Sequence, residues 1–289
     1  MLADDPILRS QSKCVASETS ADIPVTPETF ADRPWWRHDG PHNGDGWVPD
    51  LPPRTWYLSF KVGLEYVIAL LLLLLSVPLI AVTAALVKLT SRGPVFYAQV
   101  RLGRHGRPFR LYKIRTMLHE CEKTSGPRWA APNDPRITPV GRFLRRTHLD
   151  ELPQLWNVLR GEMSLVGPRP ERPEFVPHLE LAIPHYADRL LVRPGVTGLA
   201  QVQLPADTDL TSVRRKLAYD LYYIRYINLW LDLRLMVSTG VHMLGVPFHV
   251  LCRLFGLPGG GQVEHHYRAH QSAALLGREP RAFPAPDIA

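Results

Sequence analysis

The stretch YVIALLLLLLSVPLIAVTAALV, residues 66–87, decides how this chain of 289 residues is organised. It carries no charged side chain, and a helix of this length measures about 33 Å from the rise per residue of an α-helix. That length is enough to cross the hydrocarbon core of a bilayer, which is about 30 Å thick. A buried helix of a soluble protein is the alternative, but an uncharged run this long is unusual there. We therefore predict a membrane helix within residues 60–90.

Two features argue against a simple straight span. Pro78 lies inside the helix and removes a backbone hydrogen bond, which costs about 3 kcal/mol unless a bend relieves it, and the nearby Ser76 can bond a freed carbonyl. Positive residues flank both ends, whereas a spanning helix has its cationic excess on one side. We predict a re-entrant helix, broken at Ser76 and Pro78, that returns to the face it entered. A straight span stays open, because the chain is acidic before the helix and basic after it.

Charge is distributed unevenly along the chain. Residues 88–172 hold 17 Lys or Arg against 7 Asp or Glu, whereas residues 1–60 hold 5 against 9. A basic block directly after an apolar run is typical of a domain that faces anionic headgroups or phosphates. A generically solvated basic surface explains the charge alone equally well. Composition excludes a collagen-like repeat, a small disulfide scaffold and a chain disordered throughout.

Four parts are predicted, with an α+β fold overall. Residues 1–59 are acidic and rich in Pro and Trp, which indicates an irregular N-terminal extension. The re-entrant membrane helix covers residues 60–90, and a compact cytosolic catalytic domain with short strands and amphipathic interfacial helices covers residues 91–245. Residues 246–289 form a C-terminal extension, largely a disordered tail because of its Gly, Pro and His residues.

Local patterns place strands and helices within residues 91–245. The β-rich pieces PVFYAQVRLG and RPFRLYKIRT flank a turn at Gly103–Gly106, which predicts a hairpin. Apolar residues at helical spacing predict a helix over residues 209–227. The next segment, LWLDLRLMVSTGVHMLG, is apolar but contains Asp232 and Arg234, which favours a helix lying in the membrane interface.

The residues able to do chemistry are concentrated in GRFLRRTHLDELPQLWNVLRGEMSLVGPRPE, residues 141–171. Asp150 and Glu151 are adjacent carboxylates at the predicted start of a helix over residues 151–160, with Asp150 as its N-cap. The helix N-terminus favours the ionised form of both, and an ionised carboxylate can attack phosphorus or hold Mg²⁺. A plain capping Asp followed by a helix-favouring Glu is the alternative.

Two further motifs are suited to binding anions. Arg169 lies between Pro168 and Pro170, and this stiff backbone can aim its guanidinium at a phosphate. The segment RPGVTGLAQV, residues 193–202, contains a glycine turn whose N–H groups could meet an anion. Each motif alone is weak evidence.

Taken in order, these segments resemble the bacterial sugar transferase family, the monotopic polyprenyl-phosphate phosphoglycosyl transferases. The resemblance runs from about Phe60 to Leu244, through KLTSRGPVFYAQVRLGRHGRPFRLYKIRTM, NDPRITPVGRFLRRTHLDELPQLWNVLRGEMSLVGPRPE, RPGVTGLAQV and DLYYIRYINLWLDL. It implies an enzyme that transfers a sugar 1-phosphate from a UDP-sugar to a polyprenyl phosphate, usually undecaprenyl phosphate, and releases UMP. This is the first membrane step in assembling exopolysaccharide, O-antigen or another surface glycan.

The resemblance also implies roles for single residues. Asp150 is expected to be the nucleophile that forms a covalent phosphosugar intermediate. Glu151 is expected to help position Mg²⁺, the implied cofactor, so that both carboxylates are expected metal ligands. Arg145 and Arg169 match arginines of the family that contact phosphates. Lys113, Arg115 and Arg193 are further residues expected to contact phosphate or substrate.

Location and partners follow from the same resemblance. It implies the cytosolic face of the bacterial inner membrane, with a UDP-sugar, polyprenyl phosphate and membrane lipid as partners and no nucleic acid. It leaves a homodimer open, and no motif reveals which sugar is transferred. The transmembrane bundle of the larger relatives is missing before the helix, so the chain resembles the small catalytic form.

Two departures from the family pattern concern the membrane helix. The family usually has Asp four residues after Lys61, where this chain has Glu65, and its Ser-Pro break is split here by Val77. Both bear on anchoring rather than catalysis.

A membrane-tethered basic binding protein is the competing class. It explains the charge but not the two adjacent carboxylates amid arginines.

Overall fold

The structure of the protein, a computed structural model, describes residues 56–122, 134–205, 207, 209–243 and 245–275. The predicted N-terminal extension lies outside the described residues except for its last four, and the end of the predicted C-terminal tail also lies outside them.

Helices alternate with two small sheets, so the mixed α and β class is confirmed for the described residues. The helices are α1 (Trp56–Thr90), α2 (Pro139–Arg146), α3 (Gln154–Leu159), α4 (Val176–Ala182), α5 (Leu199–Gln203), α6 (Leu210–Arg225), α7 (Leu229–Met243), α8 (Phe248–Leu254) and α9 (Gly260–Leu275). The strands are β1 (Phe96–Leu102), β2 (Pro108–Ile114), β3 (Ser164–Val166) and β4 (Gly195–Thr197), and short 3₁₀ turns cover Arg104–Gly106, Leu149–Glu151 and Tyr186–Leu191.

Helix α1 is longer than predicted and runs without interruption through Pro78. It begins at Trp56, so residues 56–59, predicted to be irregular, are helical. Ser76 Oγ donates to the Leu73 carbonyl at 3.0 Å, the local bond expected of it. Most side chains of the apolar stretch are exposed, and the helix is long and apolar enough to cross a membrane by length and composition. Its re-entrant course stays a prediction.

The hairpin predicted around Gly103–Gly106 is confirmed. Strands β1 and β2 pair antiparallel, with Phe96 opposite Ile114 and Leu102 opposite Pro108. Ile114, the last residue of β2, lies in one apolar cluster with Val87 in the last turn of α1.

A small apolar core joins α1, β2 and α2. Val87, Ile114 and Leu144 are each at most 2% exposed and lie in one cluster. Gly141 allows the close approach of α2, because a Cβ at this position would lie 2.0 Å from the Thr116 carbonyl oxygen. The end of the apolar helix is therefore packed directly against the elements that carry the predicted chemistry.

A buried ionic cluster fixes the first two turns of α1 to α7. Lys61 Nζ lies 2.5 Å from Asp232 Oδ2 and 3.0 Å from Glu65 Oε1. The hydroxyls of Tyr57 and Tyr223 also donate to the Asp232 carboxylate. None of these five residues is more than 7% exposed. We call this set of five residues the Lys61 cluster.

Glu65 extends the Lys61 cluster to β3. Its carboxylate accepts hydrogen bonds from Ser164 Oγ at 2.7 Å and from the Leu165 backbone N–H at 3.1 Å. The glutamate that departs from the family pattern therefore holds α1 to the sheet while its pairing with Lys61 is kept.

Helix α6 agrees with its prediction. Asp209 and Ser212 form a capping box, in which the Ser212 N–H donates to Asp209 Oδ1 at 2.7 Å. The residues at the predicted apolar spacing are buried, namely Val213, Leu217, Leu221 and Ile224.

Helix α7 corrects one part of its prediction. Asp232, read from sequence as a polar interruption of an interfacial helix, is 2% exposed and faces Lys61. Trp230, Leu233 and Val237 are exposed on the outside instead. The exposed apolar face agrees with a helix that lies in the membrane interface. The Asp232 carboxylate, however, forms an ion pair inside the protein.

The C-terminal extension is helical where the structure describes it, which corrects the expectation that residues 246–289 are largely disordered. Leu251 of α8 and Val263 of α9 are fully buried, and Gln203 of α5 donates to the Pro258 carbonyl at 3.0 Å. Within the described part of the extension, Gly256, Pro258 and Gly259 lie between the two helices, and Gly260 and Gly261 begin α9. Burial of apolar side chains on either side of them stabilises both helices.

Candidate active site

Asp150 and Glu151 lie on a tight 3₁₀ turn, Leu149–Glu151. His148 precedes it with a left-handed backbone, φ +54°. Such a conformation is uncommon for a residue with a side chain. It redirects the chain between α2 and α3, so that both carboxylates come to lie near β2.

The prediction that Asp150 caps a helix over residues 151–160 is wrong. A capping side chain accepts from the N–H of the second or third helical residue. Here the Leu152 N–H donates to the Leu149 carbonyl at 3.4 Å, and Pro153 has no N–H. The Asp150 carboxylate is therefore left without the backbone donors that a cap would have.

Glu151 is held by two cations. Its Oε1 accepts from Lys113 Nζ at 2.8 Å and from Arg169 Nη2 at 2.7 Å. Burial opposes ionisation of this side chain, but the charges and hydrogen bonds of Arg169 and Lys113 hold the pKa of Glu151 well below its usual range. Glu151 is therefore a fixed anion that orients the two cations.

Asp150 is in a different environment, although it is adjacent in sequence. It is 6% exposed, and no hydrogen bond to its carboxylate is found in the described part of the chain. Burial raises the pKa of Asp150, and the charge of Glu151 adds to the rise, while Lys113 and Arg145 oppose it. The expectation that a helix N-terminus favours ionisation of both carboxylates is therefore wrong for Asp150.

Arg145 reaches the same region from the last turn of α2. Its Nε donates to Thr116 Oγ1 at 2.8 Å, and burial lowers the pKa of Arg145. The helix is fixed at its start by Thr138, whose Oγ1 accepts from the Gly141 N–H at 2.9 Å. A capped helix thus holds this guanidinium near the carboxylate of Asp150.

The loop that carries Arg169 is stiff, as its prolines predict. The Arg169 carbonyl accepts from Arg189 Nη2 at 2.9 Å, and the Pro168 carbonyl accepts from the Gly195 N–H at 2.8 Å. A Cβ at Gly195 would lie 2.1 Å from the Gly167 nitrogen, so glycine is required for this close packing. The Gly195 N–H is therefore used to hold the loop and is not offered to an anion.

Two of the predicted substrate contacts lie elsewhere. Arg115 is buried and donates to the carbonyls of Arg92 at 2.6 Å and Ser91 at 3.1 Å, just after the end of α1. Arg193 is half-buried before β4, and no contact joins its side chain to the carboxylates in the part of the chain described. The structure thus brings together Lys113, Arg145 and Arg169 with Asp150 and Glu151, and a substrate contact by Arg115 or Arg193 stays a prediction.

Asn157 is a positioning residue that the sequence reading missed. It is fully buried on α3, its Nδ2 donates to the Arg110 carbonyl at 2.7 Å, and its Oδ1 accepts from the Tyr112 N–H at 3.1 Å. These bonds fix α3 against β2 and so place Lys113 opposite Glu151. A polar residue inside the apolar run QLWNVL was the available signal.

His148 was also missed. Burial lowers its pKa, and its ring centre lies 5.6 Å from that of His242, which in turn stacks on Phe248 at 3.6 Å. This row of rings connects the turn that carries the carboxylates to α8.

The carboxylates fit one known mode of Mg²⁺ binding. No cluster of three or more His, Cys, Asp or Glu side chains able to hold a metal is found among the described residues. Mg²⁺ is, however, commonly held by one or two carboxylates together with substrate phosphates. Glu151 uses Oε1 for both cations, so Oε2 and the Asp150 carboxylate are suitable oxygen ligands. The donor set fits Mg²⁺ bound jointly with phosphate.

Comparison with known proteins gives the site a context. Residues 56–245 match the model of the family described as bacterial sugar transferase. The match ends before α8, so helices α8 and α9 lie beyond it.

Several curated proteins are similar to this chain. A UDP-N-acetylgalactosamine-undecaprenyl-phosphate N-acetylgalactosaminephosphotransferase of Aeromonas hydrophila is 38% identical over 82% of this chain and 56% of its own length. UDP-glucose:undecaprenyl-phosphate glucose-1-phosphate transferases of Xanthomonas campestris pv. campestris and Klebsiella pneumoniae are 43% and 38% identical, over 66% and 77% of this chain and 40% and 49% of their own lengths. The chain thus spans about half the length of these relatives.

Proposed function

Given that the chain belongs to the bacterial sugar transferase family, we propose that it transfers a sugar 1-phosphate from a UDP-sugar to undecaprenyl phosphate. The names of the relatives describe this reaction, with N-acetylgalactosamine in one case and glucose in two. One observation carries the proposal. Of two adjacent carboxylates, Glu151 is bound by two cations, whereas Asp150 is buried beside them with its oxygens free of hydrogen bonds from the described residues.

This difference supports Asp150, rather than Glu151, as the nucleophile. A carboxylate that accepts two charge-assisted hydrogen bonds is stabilised as an anion and attacks poorly. A buried carboxylate without such bonds is less stabilised, so its ionised form is the more reactive one. Asp150 is therefore the nucleophile, and Glu151 holds Lys113 and Arg169 in place.

The reaction then has two balanced steps. An ionised oxygen of Asp150 attacks the β-phosphorus of the UDP-sugar, the bond from this phosphorus to the bridging oxygen breaks, and the electron pair leaves with UMP. The intermediate is an acyl phosphate between Asp150 and the sugar phosphate. An oxygen of undecaprenyl phosphate next attacks the same phosphorus, the bond to Asp150 breaks, and the carboxylate is restored.

Cationic side chains stabilise the charge that gathers around phosphorus in both steps. Lys113, Arg145 and Arg169 converge on the carboxylates from three different elements, so they are in position before substrate arrives. Charged groups that are already oriented lower the barrier because they do not have to reorganise during the reaction.

Mg²⁺ would be held by Asp150, Glu151 and the diphosphate oxygens, and would neutralise charge on the diphosphate. The chain's own contribution is to keep Glu151 ionised and its second oxygen free.

We expect EDTA in excess to stop UMP release and added Mg²⁺ to restore it. Full activity in chelator would show that the cations of the chain suffice.

The experiment that tests the proposed function uses the purified protein in detergent. It is incubated with undecaprenyl phosphate and, separately, with UDP-glucose and UDP-N-acetylgalactosamine, and both UMP release and the lipid product are measured. At least one donor should give equal amounts of UMP and lipid-linked sugar diphosphate. UMP without any lipid product would indicate hydrolysis rather than transfer, and no UMP from a broad donor panel would overturn the proposal.

The pH dependence of the first step follows from the raised pKa of Asp150. As the pH falls through this pKa, Asp150 gains a proton and can no longer attack, so the rate falls tenfold for each further pH unit. Glu151 stays ionised in this range because its pKa is well below its usual value. The burst of UMP without acceptor lipid measures the first step alone. Its acidic limb should lie above the ordinary range of an Asp, and a limb within that range would contradict the assigned environment.

We further propose that α1 is re-entrant and that both of its ends face the cytosol, where UDP-sugars are found. Pro78, Ser76 and positive residues at both flanks support this course. Single cysteines at the exposed positions Trp56 and Arg92, in a variant without the native cysteines, report the topology. Neither should react with a membrane-impermeant thiol reagent in intact cells, and both should react after permeabilisation. Labelling at position 56 alone in intact cells would establish a straight span.

A further inference from the structure

The C-terminal helices α8 and α9 lie beyond the matched region, residues 56–245, and the proposed mechanism uses none of their side chains. The first residue of α8 nevertheless belongs to the row of rings beside the active site. Phe248 stacks on His242 of α7, with ring centres 3.6 Å apart and ring planes 18° apart. The His242 ring centre lies 5.6 Å from that of His148, which precedes Asp150 by two residues. Three rings thus join the C-terminal extension to the turn that carries the proposed nucleophile.

This turn needs support at His148. Its backbone is left-handed, with φ +54° and ψ +16°, and such a conformation costs free energy in a residue with a Cβ and persists where the surrounding structure holds it. The His148 carbonyl accepts from the Glu151 N–H at 3.1 Å, but the His148 nitrogen lies 3.4 Å from the Arg145 carbonyl oxygen, which is long for a hydrogen bond. No hydrogen bond to the imidazole is found in the part of the chain that the structure describes. The side chain is therefore held by packing, to which His242 contributes a ring.

His242 is itself fixed by two contacts. Its Nδ1 donates to the Val246 carbonyl at 2.9 Å, and this bond orients the imidazole. The nearly parallel stack with Phe248 covers one face of the ring, and paired aromatic rings stabilise each other beyond the area that they bury. Without the Phe248 ring, His242 would lose this contact and would hold His148 less firmly.

The extension that carries Phe248 is fastened to the enzyme at several points. Arg234 Nη1 of α7 donates to the Gly256 carbonyl, just after α8, at 3.1 Å. Val263 of α9 is fully buried, and the His266 ring lies edge-on to that of Tyr222 of α6, with centres 5.5 Å apart. Helices α6 and α7 therefore hold the extension in place, and the row of rings ends on a fixed support.

We propose that Phe248 and His242 are positioning residues for the first step of the reaction, because they hold His148 and through it the turn that places Asp150. This inference rests on the proposed function. A nucleophile that leaves its productive position loses rate steeply, since the reacting atoms have to meet at a defined distance and angle. The cations proposed to bind the diphosphate lie on other elements, namely β2, α2 and the loop after β3. Loss of the row of rings should therefore slow the chemical step and leave donor binding nearly unchanged.

The test measures the burst of UMP without acceptor lipid at a series of concentrations of a donor that the wild-type protein uses. Phe248→Leu keeps an apolar side chain but removes the ring. We expect its maximal burst rate to fall by about tenfold, while the donor concentration for half-maximal rate changes by less than about twofold. Phe248→Tyr keeps the ring and should restore the rate. Phe255→Leu is the matched control, because Phe255 directly follows α8, is likewise half-buried, and makes no ring contact with the residues described.

A double variant shows whether the effect passes through His148. Glycine adopts a left-handed backbone without the penalty of a Cβ, and His148→Gly leaves no ring for His242 to contact. In a His148→Gly background, Phe248→Leu should therefore change the burst rate by less than about twofold. A role of Phe248 in stability alone would give the same loss in both backgrounds.

The possible outcomes separate the explanations. A burst rate of Phe248→Leu equal to that of Phe255→Leu, or a loss that persists unchanged in the His148→Gly background, would overturn this inference and leave the proposed function standing. If Phe248→Leu does not yield folded protein, His242→Leu, which removes the middle ring, takes its place in the same comparison. A wild-type protein that releases no UMP from any donor fails the proposed function, and this inference with it.

Discussion

Asp150→Asn is expected to lower the rate of UMP release by about 10⁴-fold or more, the scale seen when a nucleophile that acts together with its partners is removed. An amide oxygen carries no charge and does not form the acyl phosphate. The substitution keeps the size of a side chain that is 6% exposed, so the fold should be preserved. An unchanged thermal unfolding midpoint in detergent serves as the control.

Intact-protein mass spectrometry makes this test direct. Wild-type protein mixed with a UDP-sugar in the absence of acceptor lipid should gain the mass of one sugar phosphate, and Asp150→Asn should not. Glu151→Gln should also slow turnover strongly, because Lys113 and Arg169 lose the anion that orients them. Near-normal UMP release by Asp150→Asn would rule out the covalent role of Asp150.

Among these variants, Lys61→Met should cause the largest loss in the free energy of unfolding. It removes the only cation of the Lys61 cluster and leaves the carboxylates of Asp232 and Glu65 buried without it. Removing one partner of a buried ion pair costs about 3–5 kcal/mol, which is a large part of the stability of an ordinary domain. We expect little folded protein after extraction, measured by size-exclusion chromatography in detergent.

Lys88→Met is the matched control for that variant. Lys88 lies near the other end of the same helix and is exposed, so its loss should change the yield of folded protein little. If Lys61→Met were as stable as Lys88→Met, the Lys61 cluster would not be what holds α1 to the rest of the protein.

Local sequence patterns were sufficient where neighbouring residues decide the structure. The β-rich pieces on either side of Gly103–Gly106, the apolar spacing of α6 and the uncharged run of α1 each predict an element from local sequence, and each element is found. Proline on both sides of Arg169 likewise predicted a stiff loop, and the structure shows that backbone held by Arg189 and Gly195.

Long-range contacts explain what the sequence did not reveal. Asp232 looked like a polar break in an apolar helix because its partner, Lys61, lies far away in sequence. Arg115 looked like a phosphate ligand, but its donors are used by carbonyls at the end of α1. The geometry of Asp150 depends on the left-handed backbone of His148. Histidine adopts this conformation more often than most residues do, but its identity alone does not impose it.

The Lys61 cluster has a consequence for how this protein is made. Ribosomes synthesise Lys61 and Glu65 well before Asp232. Helix α1 is therefore complete before α7, which carries its ion-pair partner Asp232, has been made. The Lys61 cluster is complete only after α7 has been synthesised and Asp232 has met Lys61. A chain shortened to remove all of α1 would lose three of the five residues of the Lys61 cluster, namely Tyr57, Lys61 and Glu65. Replacing α1 with an unrelated membrane anchor would have the same defect, because Tyr57, Lys61 and Glu65 of α1 are buried against the rest of the protein.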